Sequence, residues 1–225
     1  TWFHRTAGGG HLDNTWQTWT IPDPYATEAG RRPVLEGWFA NLLPDLNQDD
    51  PEVARYLIQN ALWWVGITGL DGIRQDTVPY VPRSFWRDWS GALKREHPGL
   101  VLLGEVMHED IITTSFFQGG RARHDGIDSG FDALFDFPLH PRIREAFAEG
   151  KSMRPLAEQL AKDHLWENPD QLLTFLGLHD VERFMNVKGA TADGLRLAFT
   201  FLFTTRGHPL VYAGDEIAMR GGGDP

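Results

Sequence analysis

In the stretch GLDGIRQD (residues 69–76) an arginine stands two residues before an aspartate, just past a short apolar run. Residues i and i+2 of a strand share a face, so Gly72, Arg74 and Asp76 point the same way. A neighbouring cation favours an ionised carboxylate, which suits Asp76 as a nucleophile; a structural ion pair would look the same. Glu105 follows the apolar run LVLLG. Such surroundings raise a carboxyl pKa and favour a protonated acid, although a strand-end carboxylate near a helix start is the plainer alternative. His179 and Asp180 close a third apolar run, QLLTFLGLHD, with Arg183 just beyond. That pair is either a local hydrogen-bonded turn or a contact for vicinal hydroxyls. Carboxylates ending three different strands are what glycoside hydrolysis needs: one nucleophile and one acid/base, about 5–5.5 Å apart in a retaining mechanism.

The elements that must position these residues alternate along the chain. Residues 1–48 show no sustained helical or strand pattern and read as an irregular lobe. Asp50 then caps a helix that has Pro51 at its first position and Gly69 as its stop. Trp63 and Trp64 on that helix are expected to face the core, whereas Trp38 and Phe39 fit a core and a sugar platform equally well. Strands are expected at GIRQD, GLVLLGEV, FDALFDF, QLLTFLGLHD and HPLVYAGDE, with GLVLLGEV buried on both faces. Helical stretches separate them, which is the pattern of a parallel α/β protein. A complete (β/α)8 barrel takes about 250 residues, so residues 49–225 fit five β/α units of a partial TIM barrel. In such barrels the active residues stand at the carboxyl ends of strands, where Asp76, Glu105 and Asp180 fall.

Composition removes several classes of function. The net charge is −10 and no Lys/Arg block occurs, which argues against a nucleic-acid partner. No apolar run approaches the ~20 residues needed to cross a bilayer. The opening residues lack the basic start and apolar core of a signal peptide. With no cysteine the chain forms no disulfide, and its compartment stays open. The terminal GGGDP lacks the strand–turn–helix context of a phosphate loop. Both ends read as interior sequence, so a fragment of a longer protein is expected.

Six segments in order then resemble the α-amylase superfamily, glycoside hydrolase family 13. DGIRQD resembles its nucleophile segment, GEV its acid/base segment, and HDVER the segment with a transition-state-stabilising aspartate. LPDLN resembles the stretch that closes the family's domain B, while FDFPLHPRIREAF and GDEIAMRGGGDP resemble the cyclomaltodextrinase and neopullulanase branch. The resemblance implies Asp76 as nucleophile, Glu105 as acid/base and Asp180 as stabiliser. It also implies Arg74 as partner of the nucleophile, His179 as a substrate contact, and His108 and Arg183 as further substrate-binding positions; Asp215 matches a less diagnostic one. It makes residues 1–48 a domain B-like lobe and the remainder barrel units four to eight, and it places the family's first signature and strands one to three ahead of residue 1. The implied partner is an α-glucan, cleaved at α-1,4 bonds without an organic cofactor. Cleavage at α-1,6 bonds, transglycosylation, a non-catalytic binding subunit and an inactive fragment stay open, as does a homodimer of the longer parent. Met107 and Leu178 depart from residues common in the family, which leaves the sugar subsites undefined. Calcium is allowed, yet Asp13, Asn14, Asp45 and Asn47 match no closed cation loop by spacing.

Overall fold

The computed structural model describes residues 1–40 and 42–221; the end of the GDEIAMRGGGDP stretch lies outside them. The chain forms two compact units, one from Thr1–Val106 with Phe116–Asp132, the other from Met107–Ser115 with Ala133 onward.

In the first unit the lobe is more regular than its sequence pattern suggests. Strand β1 (Leu12–Asp13) pairs in parallel with β2 (Gly37–Trp38), and helix α1 (Glu28–Leu35) joins them. Thr27 caps α1 by accepting a hydrogen bond from the Gly30 N–H at 3.2 Å. Pro33 inside this short helix interrupts the periodicity that would have revealed it. Gly37 is required by close approach, because a Cβ there would stand 2.1 Å from the Pro33 carbonyl oxygen and 2.6 Å from Asn14 Cα.

Helix α2 (Pro51–Thr68) begins and ends as its sequence dictates. Asp50 accepts from the Glu52 N–H at 3.0 Å, and Gly69 takes a left-handed φ of 66° while its N–H bonds the Val65 carbonyl. Trp63 and Trp64 are not core residues: they are 55% and 48% exposed and pack edge to face at 4.9 Å. Val65 is a buried position, and at 100° per residue Trp63 stands about 160° from it, whereas Trp64 borders a cavity that Trp86 and Trp89 also line.

Strand β3 (Gly72–Gln75) pairs in parallel with β4 (Val101–Gly104), Arg74 opposite Leu103 and Gln75 opposite Gly104. Helix α3 (Arg83–Glu96) connects them and buries Trp86, Trp89 and Leu93. Strand β4 is buried on one face only. Leu102 is fully buried but Val101 is 47% exposed, because among the described residues no layer covers the side that Val101 shares with Leu103.

The second unit contains α4 (Ile111–Ser115), β5 (Ala133–Leu134), α5 (His140–Phe147), α6 (Arg154–Leu160), β6 (Leu173–Phe175), α7 (Ala192–Thr204) and β7 (His208–Leu210). Strands β6 and β7 pair in parallel, Leu173 opposite His208 and Phe175 opposite Leu210. FDALFDF shrinks to the two residues of β5. Buried Asp136 turns instead to the Leu139 N–H, at 3.1 Å, and to the Arg206 guanidinium, at 2.5 Å. Arg206 also grips Asp163 with two hydrogen bonds of 2.9 and 2.7 Å. Helix α7 forms despite its phenylalanines and threonines, because Thr191 caps it and Leu195, Ala198 and Leu202 bury one stripe against Ile143 and Phe184. Alternating helices and parallel strand pairs make the chain an α/β protein.

Asp136 is 1% exposed, so removing Arg206 leaves a buried carboxylate without its cation. Arg206→Ala is expected to cost about 3–5 kcal/mol of unfolding free energy, read from the urea midpoint; a loss below about 1 kcal/mol would contradict a structural role for this triad.

Candidate active site

The pleat of β3 carries Arg74 and Asp76 on one face. On the other, Ile73, Gln75 and Thr77 line a cavity of about 490 Å³ with Trp64, Trp86 and Trp89. The chemistry therefore lies on the face away from that cavity. Past the end of β4 the ladder continues by one bond, the Glu105 N–H to the Gln75 carbonyl at 2.9 Å. This bond brings Glu105 beside Arg74 and Asp76.

Three groups meet the Glu105 carboxyl. Arg74 Nη2 donates to its Oε1 and also lies 3.0 Å from Asp76 Oδ1. The Thr77 N–H points at Oε2 from 3.4 Å. Asp76 is the third, held against it by the same Arg74 Nη2. Glu105 is only 4% exposed, whereas the Asp76 side chain is 60% exposed. Burial, reinforced by the neighbouring Asp76 carboxylate and opposed by Arg74, pushes the Glu105 pKa up to about 7. Arg74 is thus not a partner of Asp76 alone; it bridges both carboxylates.

Thr77 has φ 52° and ψ 38°, a left-handed conformation unusual for a β-branched residue and costing of order 1–3 kcal/mol. This sharp turn directs the Thr77 N–H toward Glu105, and the next N–H, of Val78, bonds the Glu105 carbonyl at 3.0 Å. Tyr80 completes the turn. Burial and the charge of Glu105 push its hydroxyl pKa up to about 12. No side-chain signal in the sequence marks the Thr77 backbone contact, but Tyr80 could have been found as the aromatic in the loop after a strand end.

In the second unit, His179 and Asp180 stand in the turn after β6, with His179 Nε2 2.9 Å from Asp180 Oδ2 and both side chains open to solvent. Arg183 donates from Nη1 to the Ala213 carbonyl at 2.9 Å, lies 3.4 Å from Asp215 Oδ1, and stacks over Tyr212 at 4.6 Å. Asp215 is 2% exposed, and burial raises its pKa against the pull of Arg183. Arg183 is therefore engaged in holding the 212–215 turn. His108 sits in the turn before α4, where its Nδ1 accepts the Asp110 N–H at 3.0 Å. The structure thus groups Arg74, Asp76 and Glu105 in one unit and His179, Asp180 and Arg183 in the other.

Three of the oxygen groups considered for calcium are engaged in hydrogen bonds. Asn14 Oδ1 accepts the Trp16 N–H, Asp45 accepts from His4 Nδ1 at 2.6 Å, and Asn47 Oδ1 accepts the Asp49 N–H. No group of three or more His, Asp or Glu able to hold a metal occurs among the described residues. No helix among them is long and apolar enough to cross a membrane.

A parallel α/β scaffold that ends two neighbouring strands in a bridged carboxylate pair has the arrangement that acid/base and nucleophilic chemistry requires. The sequence specifies the family. Residues 36–223 match the α-amylase catalytic domain, and the chain belongs to that family. It is 33% identical over 192 residues to a cyclomaltodextrinase of Geobacillus thermopakistaniensis, an alignment covering 83% of this chain and 30% of the relative. The crystal structure of an Anoxybacillus α-amylase matches with a TM-score of 0.82 and 33% identity, over 100% of this chain and 45% of that one. An α-amylase from Geobacillus thermoleovorans, solved in complex with acarbose, matches with a TM-score of 0.80 and 32% identity, over 99% of this chain and 46% of that one. The chain spans about a third of the length of the curated relative.

The raised pKa of Glu105 has a consequence for stability. An unfolded glutamate releases its proton near 4.5, whereas the folded group holds it to about 7. Between those values the folded state binds more protons than the unfolded one, so stability falls as pH rises through this window. Glu105→Gln is expected to be more stable than the parent at pH 8, by about 1–3 kcal/mol, with little difference at pH 4. Equal effects at both pH values in thermal melts would contradict the buried, proton-holding state.

Proposed function

We propose that the protein containing this chain is a retaining α-glucan hydrolase that cleaves α-1,4-glucosidic bonds of cyclodextrins, maltooligosaccharides or starch. The observation that carries the proposal is that one guanidinium nitrogen, Arg74 Nη2, contacts both the Asp76 and the Glu105 carboxylates. An inverting enzyme separates its carboxylates by roughly 6.5–9.5 Å to admit a water, whereas a retaining one holds them about 5–5.5 Å apart. Carboxylates that touch one nitrogen stand closer than the inverting spacing. They fit the retaining arrangement.

In this mechanism the exposed Asp76 attacks the anomeric carbon while Glu105, protonated near neutral pH, gives its proton to the leaving oxygen. The resulting glucosyl ester on Asp76 is hydrolysed by a water whose proton returns to Glu105. Arg74 balances the charge as the proton leaves Glu105 and as Asp76 loses its own charge to the new bond. Asp180 is assigned the role of stabilising the developing positive charge, and His179 that of bonding sugar hydroxyls; His108 and Arg183 are assigned to the edges of the substrate path. Residues 1–48 would be the domain B-like lobe and the rest barrel units four to eight. No organic cofactor enters any step.

Asp76→Asn in the complete protein is expected to lower kcat on β-cyclodextrin by on the order of 10⁴ or more, with trapped product of retained α configuration in the parent enzyme. Activity within tenfold of the parent would sink the assignment. Because Glu105 must be protonated to act, kcat/KM is expected to fall as pH rises through about 7. A profile flat from pH 6 to 9 would instead remove Glu105 from the acid role.

A further inference from the structure

We infer that Trp16 is a sugar-stacking platform adjoining Glu105, which receives the face of a glucosyl ring of the glucan beyond the ring that is attacked. The inference rests on the carboxylate roles proposed above.

Its ground is how the lobe presents this one indole. Trp16 is 51% exposed, yet its backbone is held at φ 59°, an outlier conformation for a bulky residue. A surface turn with no task would relax, and strain that persists needs surroundings that impose it. Here Asn14 imposes it. Its side chain is buried in the lobe, accepts the Trp16 N–H at 2.8 Å, and donates to the Val34 and Gly37 carbonyls at 3.0 and 3.4 Å.

The ring is also backed. Phe39 lies 4.5 Å from it at a tilt of 45°, and Tyr80 meets it edge-on at 5.8 Å. Tyr80 packs on Phe39 in turn, at 4.7 Å, and its N–H bonds the carbonyl of Thr77, the residue whose own N–H points at Glu105 Oε2. Three rings from three segments of the chain converge on the turn that holds the acid. Trp38 shows what a core tryptophan of the same lobe looks like: it is 9% exposed, donates its Nε1–H to the His4 carbonyl at 3.0 Å and stacks on His11. An exposed, propped indole next to a glycosidic acid matches the apolar C–H face of a pyranose, which binds flat aromatic surfaces. The ligand class is an α-linked glucosyl chain, not a free monosaccharide.

The test uses the complete protein. In an Asp76→Asn background, which binds without cleaving, Trp16→Ala is expected to raise the Kd for β-cyclodextrin about tenfold, measured by calorimetry, and Trp16→Phe to recover most of that loss. In the active enzyme the ratio of kcat/KM for maltoheptaose to that for an aryl α-glucoside is expected to fall by about the same factor. Trp19→Ala, at a tryptophan 52% exposed in the same lobe, serves as the control whose ratio stays at the parental value. An unchanged Kd and ratio in Trp16→Ala would overturn the inference. So would an equal loss on both substrates, the sign of a collapsed turn. Full hydrolysis by Asp76→Asn would instead strike the carboxylate assignment, independently of anything Trp16 does.

Discussion

A carboxyl group taken out of water must find a cation and donors or keep its proton, and Glu105 does both. Arg74 and the Thr77 N–H hold its two oxygens, Asp76 stands at the same guanidinium nitrogen, and burial still lifts its pKa to about 7. Every nearby element serves that arrangement. The parallel register of β3 and β4 sets Arg74 opposite Leu103 and carries the ladder on to Glu105. The turn at Thr77 accepts a left-handed backbone so that its N–H can reach the carboxyl. Asp76, on the open side, has the exposure a nucleophile requires.

The supporting shell is built from burial of a different kind. Helix α3 and the rings of Trp86, Trp89 and Phe131 pack beneath the unit, with Trp86 5.3 Å from Phe131, and Trp86 donates its indole N–H to the Val78 carbonyl at 2.9 Å. That last bond ties the turn after Asp76 to the core, so the strained segment does not rest on its own contacts. The lobe uses the same device at Asn14, where a buried amide fixes a surface turn. In the second unit Arg206 performs it for Asp136, and Arg183 for Asp215. In each place a polar group that is costly to bury has been matched to a partner, and the match fixes a loop.

Much of the framework was legible along the chain. Asp50, Pro51 and Gly69 mark α2 by cap chemistry that is local, and the short GIRQ segment at 72–75 and the apolar runs around 101–104 and 173–175 mark strands. The carboxylates at their ends follow from the i, i+2 rule and from order alone. What escaped was non-local or masked. Helix α1 was hidden by Pro33. The partner of buried Asp136 is Arg206, 70 residues beyond it. Trp63 and Trp64 look like core residues by composition, yet each stays about half exposed in the fold. The Thr77 contact belongs to a backbone N–H, which every residue but proline possesses and which therefore carries no sequence signal.

By itself, then, the sequence determined the alternation of helices and strands, the residue types that end the strands and the family to which they belong, because periodicity and capping act over a few residues. Only the tertiary structure decided which carboxylate is buried, that Arg74 bridges two of them rather than serving one, and that Trp16 stands propped beside Tyr80. Those facts depend on the distance between side chains remote in sequence and on how much water remains around them. The apolar run LVLLG pointed to a raised pKa at Glu105, and its value of about 7 is the product of burial and of partners elsewhere in the chain.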